Sequence, residues 1–179
     1  LASTCLTLGI LLLYAPDVSA QTEPDNPKAC GYCGMHTEQY AHSRMHITNE
    51  DGSVSLLCSL HCAAIDLAVH LDKTPRSIQV GDYSTKKLID AEKAVWVIGG
   101  SLPGVMSRRG KWAFAEQSAA QAFIKTNGGI IATFDQAAKA AYEDMHEDTK
   151  MIRERRKMKR AKMTMDKKEP GQSALRGEQ

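Results

Sequence analysis

Cys30, Cys33, Cys58 and Cys62 stand in the spacing C-x2-C-x24-C-x3-C. Any fold of this chain has to find a use for four thiols drawn from two separate segments. Cys30-Gly31-Tyr32-Cys33-Gly34-Met35 is the sharper half. A C-x-x-C loop brings two thiolates to one ion, Gly34 lets the backbone turn tightly, and Met35 adds a thioether. Cys58 and Cys62 flank a strand-to-helix junction. Ser59 has N-cap chemistry, which puts Cys62 in the first helical turn, where the helix dipole favours a thiolate. His61 lies between them.

Three chemistries compete for these thiols. Four thiolates in a tetrahedron suit Zn2+ in a closed structural site. Thiolates with thioethers suit Cu(I). Two disulfides suit an oxidising compartment. A thioredoxin-type redox role fits poorly, because this C-x-x-C follows a linker and precedes a polar stretch. Composition does not decide between zinc and copper. Met35 and an exported location favour copper.

The exported location comes from the first twenty residues. Residues 5–13 (CLTLGILLL) carry no charge. They are too short to span a bilayer and fit the apolar region of a secretory signal. Val18-Ser19-Ala20 resembles a cleavage site, so residues 1–20 are expected to leave, taking Cys5 with them. The mature chain is expected in the periplasm, with no transmembrane span. Residues 21–29 (QTEPDNPKA) read as a linker.

Charged residues make up 25% and hydrophobic ones 42% of the chain, which excludes a wholly disordered polymer. Residues 44–48 and 54–58 read as strands joined by the turn signal Asp51-Gly52. Ala63, Ala64, Leu67 and Leu71 give helical spacing up to Asp72, and Lys73-Thr74-Pro75 stops the helix. Residues 77–80 form the next strand. A second round follows: strands at 94–98 and 111–114, an Ala-rich helix at 116–127 closed by Gly128-Gly129, and a strand at 130–134. The expected fold is α+β, two tandem ββαβ units at about 44–80 and 94–134 with a cleft between them, followed by a helical tail.

Residues 136–165 read as that helical tail and residues 166–179 as disordered. Residues 146–179 hold eleven Lys/Arg against six Asp/Glu, a net of +5; residues 1–145 hold twelve against fifteen, a net of −3. The expected state of the tail is a solvated, partly frayed helix. Met145, Met151, Met158, Met163 and Met165 accompany its charges. A docking arm for an acidic partner or membrane surface is the sharper alternative. Few aromatics and the expected export argue against nucleic acid.

The order of motifs resembles the NosL family. The resemblance rests on Cys30-x-x-Cys33-Gly34-Met35, Asp51-Gly52 before Leu57-Cys58-Ser59, and the run at 88–91. Val97-Ile98-Gly99, Leu102-Pro103-Gly104-Val105-Met106, Phe114, Ala122-Phe123, Gly128-Gly129 and Phe134-Asp135 continue it. It covers residues 30–135. It implies a pair of ββαβ units akin to the organomercurial lyase MerB. It also implies a non-enzymatic, exported copper metallochaperone that serves nitrous oxide reductase or its maturation machinery. The implied site is Cu(I) held by a Cys of the C-x-x-C motif with Met106, and Cys33, Met35 and Cys58 as further ligands. The chain departs from the family pattern in its added Cys62 and His61, in lacking an evident lipoprotein Cys, and in its basic tail. Two rival readings are a four-cysteine zinc domain and a carbon–mercury lyase using Cys58 and Cys62 with Asp66 or Asp90. His36, His42, His46 and His70 are expected to be surface, supporting or structural residues rather than ligands.

Overall fold

Strand β1 (Met45–Asn49) alternates buried and half-buried residues, with Met45 and Ile47 turned into the core. A turn at 49–52 reverses the chain into β2 (Val54–Leu57). The turn is closed by the Gly52 N–H on the Asn49 carbonyl, with Gly52 at φ +82°. Asp51 accepts the Ser53 N–H across it. Helix α1 (Leu60–Val69) follows, then β3 (Pro75–Gly81) and β4 (Leu88–Asp90). The second unit is β5 (Val95–Ile98), β6 (Lys111–Phe114), α2 (Gln117–Asn127) and β7 (Ile130–Ala132). Helix α3 (Phe134–Lys168) completes the chain that is described, residues 28–168 of this computed structural model. The expected signal segment, and all but the first three residues of the expected disordered end, lie outside those residues.

The two units share one topology. The sheets run β2-β1-β3-β4 and β6-β5-β7, and every pairing within them is antiparallel. In each unit the first strand is central, flanked by the second and third. A single parallel bridge between Asp82 and Ala113 links the sheets. The buried Asp82 carboxylate reinforces it by accepting the Ala115 N–H and both donors of Thr85.

Alternation on β5 divides the core. Trp96 and Ile98 join a large cluster with Met45, Ile47, Leu57, Val80 and α3. Val97 points the other way, into a smaller cluster with Trp112, Phe114, Ala120 and Phe123 of β6 and α2. β6 is covered on both faces, which is why all four of its residues are buried.

Several local expectations differ from the structure. α1 ends at Val69, where His70 N–H closes on Asp66 O, and Leu71 stands 86% exposed in solvent. Ser59 occupies the N-cap position, but its hydroxyl makes no capping bond. β4 is an added strand, too short to alternate visibly. The strand expected at 130–134 stops at Ala132, because Thr133 and Gln136 exchange hydrogen bonds as a capping box and start α3 at Phe134.

The largest difference concerns the tail. The front of α3 is a core helix. Phe134, Ala137, Ala140, Ala141, Met145, Asp148 and Met151 form its inner face, packed on α1 and β5. Only farther on does it leave the body, exposing Met158, Met163 and Met165. Met151 and Met158, seven residues apart, therefore share a helix face but not an environment.

Candidate metal centre

The four cysteines of the folded part converge. Their sulfurs all lie within 4.8 Å of one another. Cys33 Sγ stands 3.4 Å from Cys58 Sγ, and Cys58 Sγ stands 3.6 Å from Cys62 Sγ. A disulfide needs about 2.05 Å, so these are free thiols. A tetrahedron of sulfurs at a metal–sulfur distance of about 2.3 Å has edges of about 3.8 Å. The thiols thus fit one soft ion with shifts of a few tenths of an ångström.

Local structure explains the convergence. An isolated bridge between Ala29 and His36 closes the C-x-x-C loop at its base. Within it Cys30 N–H donates to Met35 O at 2.8 Å and Gly34 N–H to Cys30 O at 2.9 Å. Gly34 sits at φ +74°, the left-handed conformation the turn requires. The Cys33 and Met35 amides face the sulfurs of Cys30 and Cys33. Gly31 N–H donates to Leu56 O, which seats the loop on β2. The Tyr32 hydroxyl donates to the buried Asp66 carboxylate at 2.9 Å, tying the loop to α1. Cys58 follows β2, and Cys62 occupies the first turn of α1.

Burial is uneven. Cys30, Cys58 and Cys62 are buried, whereas Cys33 is half-exposed. The hydrogen bonds of Cys33, Cys58 and Cys62 draw the Cys30 thiol far below the ordinary range. The same bonding to Cys30, with burial, pushes Cys58 and Cys62 up, so both hold protons at neutral pH. Cys62, expected to be depressed by the helix dipole, is instead pushed up by its bonds to Cys30, Cys33 and Cys58 and by burial. Cys33 is pushed up by Cys30 and down by Cys58 and Cys62, and settles at about 7.

Met106 belongs to the β5–β6 loop and adopts φ +60°, an uncommon conformation for a side-chain-bearing residue. It lines a cavity of about 450 Å3 with Cys33, Met35 and Tyr40. It also lines an adjoining cavity of about 230 Å3 with Cys33, His61 and Cys62. The second unit therefore brings its thioether to the exposed side of the thiol cluster.

Two carboxylates one turn apart on α3 hold this loop. Asp148 accepts Arg108 N–H at 3.0 Å, and Asp144 accepts from Arg109 Nε at 2.8 Å and from buried Lys111 Nζ at 2.7 Å. Asp148 also lies 3.6 Å from His61 Nδ1, both residues buried. Burial lowers the affinity of His61 for a proton, against the opposing pull of Asp148.

The α3 contribution has a faint trace in sequence: Asp144, Asp148, Ile152 and Arg156 recur every four residues, one face of a helix. Charged residues of both signs crowd the other faces and conceal it. The other histidines stand apart from the thiol cluster. His36 is exposed, His42 packs among Tyr40, Tyr83 and Trp112, His46 lies on β1, and His70 pairs with Asp66. The two acids imagined for a lyase do not join the thiols. Asp66 receives Tyr32 and Ser55, and Asp90 pairs with Lys93 on β4. Among the described residues, no helix is long and apolar enough to cross a membrane.

The sequence matches the family model described as NosL over residues 21–142. It is 32% identical over 128 residues to the HTH-type transcriptional repressor CutR of Bacillus subtilis (strain 168). That match covers 71% of this chain and 63% of CutR, so the chain spans less than two thirds of that relative. Among the described residues a strand separates each helix from the next, and none forms a helix-turn-helix pair. Among solved structures it is similar to the copper chaperone NosL from Shewanella denitrificans. That match has 23% identity and a TM-score of 0.49, covering 60% of this chain and 87% of the other. The family model takes in the C-x-x-C loop, both sheets and the first turns of α3, well over half of the sequence, and the chain belongs to the NosL family.

Proposed function

We propose that the protein is an exported Cu(I) metallochaperone that hands copper to a periplasmic metalloenzyme, with nitrous oxide reductase as the expected recipient. The observation that carries this reading is the four-thiol cluster with one open side. Three sulfurs are buried, and the fourth, Cys33, faces the cavity lined by Met35 and Met106. Soft thiolates and thioethers suit Cu(I), which accepts two or three sulfur ligands. Handing the ion on requires a ligand-exchange path, and the half-exposed Cys33 with its neighbouring thioethers provides one. Family membership supports a carrier rather than a catalyst.

In this reading two or three of Cys30, Cys33, Cys58 and Cys62 hold the ion at any one time. Met35 and Met106 complete the exchange side, and His61 stands beside it. Anaerobic Cu(I) titration of the reduced chain against a chromophoric chelator tests the reading. Tight one-to-one binding is expected, with at least about a hundredfold loss on changing Cys30 and Met106 together, about 2.7 kcal/mol. Failure of the wild type to compete, or an unaltered affinity in the double variant, overturns it.

A closed zinc site is the second reading, favoured by sulfur separations close to a tetrahedral edge. It requires one zinc on purification under reducing conditions, and unfolding on chelation. Thioethers are poor zinc ligands, so changing Met106 separates the two: it weakens copper binding and leaves zinc binding unchanged.

A further inference from the structure

The family match ends at residue 142, but α3 continues and forms one wall of the cavity beside Cys33. Ile152, Arg155 and Arg156 line it together with Cys33, Met35 and Met106. Spacings of three and four residues put the two arginines on the same side as Ile152. Arg153 and Arg156 also line the smaller cavity next to Cys62. Arg155 and Arg156 are exposed, and neither has a carboxylate partner among the described residues. From residue 150 to 165 the helix carries eight Lys/Arg against a single acid, Glu154.

A purely structural metal site has no need of this arrangement. Sulfur donors and unpaired guanidiniums line the same cavity of small-molecule size. Cu(I) travels on soft ligands rather than in water, and a thiol carrier bearing carboxylates gives it an anionic complex. Such a complex meets like charge as it nears a chain whose residues 1–145 carry a net −3. The guanidiniums reverse the local field and match the planar, two-point geometry of a carboxylate.

We propose that this cavity binds the Cu(I) carrier itself, as the complex of a small carboxylate-bearing thiol. The copper–sulfur head faces Cys33, Met35 and Met106, and the carboxylates bind Arg155 and Arg156. The proposal rests on the copper reading given above and extends it to the donor complex. Exchange is then balanced at one metal. A Cys33–copper bond forms as a carrier thiolate–copper bond breaks. Any proton lost by the cysteine passes to the departing thiolate, and copper stays Cu(I) throughout.

Anaerobic stopped-flow loading of the full chain tests this, with Cu(I) supplied either as its mercaptosuccinate complex or as its 2-mercaptoethanol complex. In the double variant Arg155→Gln, Arg156→Gln, loading from mercaptosuccinate is expected to slow by about tenfold. Loading from mercaptoethanol is expected to stay within about twofold, as is the equilibrium Cu(I) affinity. Equal slowing with both carriers, or none with either, overturns the proposal. An intact wild-type affinity with no difference between carriers rejects this inference alone. Absence of Cu(I) binding by the wild type rejects the copper reading and this inference with it.

Discussion

His61 Nδ1 of α1 lies 3.6 Å from the Asp148 carboxylate of α3, with both side chains buried. The other oxygen of Asp148 receives Arg108 N–H, two residues beyond Met106. One carboxylate thus holds the loop that carries Met106 and lies beside the helix that carries Cys62, without a hydrogen bond to His61.

Replacing Asp148 by Ala leaves the Arg108 amide without its acceptor and frees the Met106 loop. A loss of about 2 kcal/mol is expected, a fall in melting temperature of roughly 4–8 °C. Cu(I) affinity should drop about tenfold, as for other residues that support ligands. Asp148→Asn, which keeps an acceptor, should recover most of the stability. Thermal melts and chelator competition on the same samples check both effects; an unchanged affinity in Asp148→Ala removes the link to Met106.

Cys33 and Cys62 should separate stability from binding. Serine at Cys62 buries a hydroxyl among sulfurs and is expected to cost the metal-free protein about 1–3 kcal/mol. Serine at half-exposed Cys33 should cost less than about 0.5 kcal/mol. Both changes should weaken Cu(I) binding. Urea denaturation of the apo variants measures the first contrast, and equal destabilisation would contradict the assigned burial.

Cu(I) affinity should rise with pH. Cys58 and Cys62 hold their protons at neutral pH, and Cys33 titrates at about 7, so an incoming ion has to displace protons. Each displaced proton contributes about a tenfold gain per pH unit. Competition titrations at pH 6, 7 and 8, corrected for the chelator, should show that rise together with proton release into a weak buffer. A flat profile would mean that the thiols were already ionised.

Acid should loosen the grip of α3 on the β5–β6 loop. Burial pushes the Asp144 carboxyl up, but Arg109 and Lys111 outweigh it and hold it below the ordinary range. A depressed carboxylate stabilises the fold above its unfolded value of about 3.9 and loses that contribution as pH falls through the folded value. Stability of the wild type should therefore decline below about pH 4 more steeply than that of Asp144→Asn. At pH 7 the same substitution should cost about 2–3 kcal/mol, because Lys111 stays buried without its counter-charge. Melting curves from pH 3 to 7 measure both.

Much of the scaffold was legible because local physics decided it. Asp51-Gly52 dictated a hairpin, the alternation of Met45 and Ile47 named the inner face of β1, and Gly128-Gly129 closed α2. Legibility failed where a short signal was outweighed. Leu71 fits the helical pattern of α1 but falls beyond its end, and Thr133-x-x-Gln136 started a helix where an apolar run suggested strand. The buried stripe from Phe134 to Met151 is marked largely by small Ala residues among charged ones, a weak apolar signal beside the strongly basic stretch that follows it.

The sequence by itself determined the elements, their doubled order and the donor chemistry. A C-x-x-C loop with a thioether, and two thiols at a strand-to-helix junction, are set by residue type and spacing within a few positions. The tertiary structure decided what those donors face. Cys30 and Cys62 meet because the loop of Cys30 bonds to β2 through Gly31 and to Asp66 of α1 through Tyr32. Met106 faces Cys33 because Asp144 and Asp148 reach back from more than thirty residues away. Such contacts depend on helix packing and on burial of paired charges, and no local pattern encodes them.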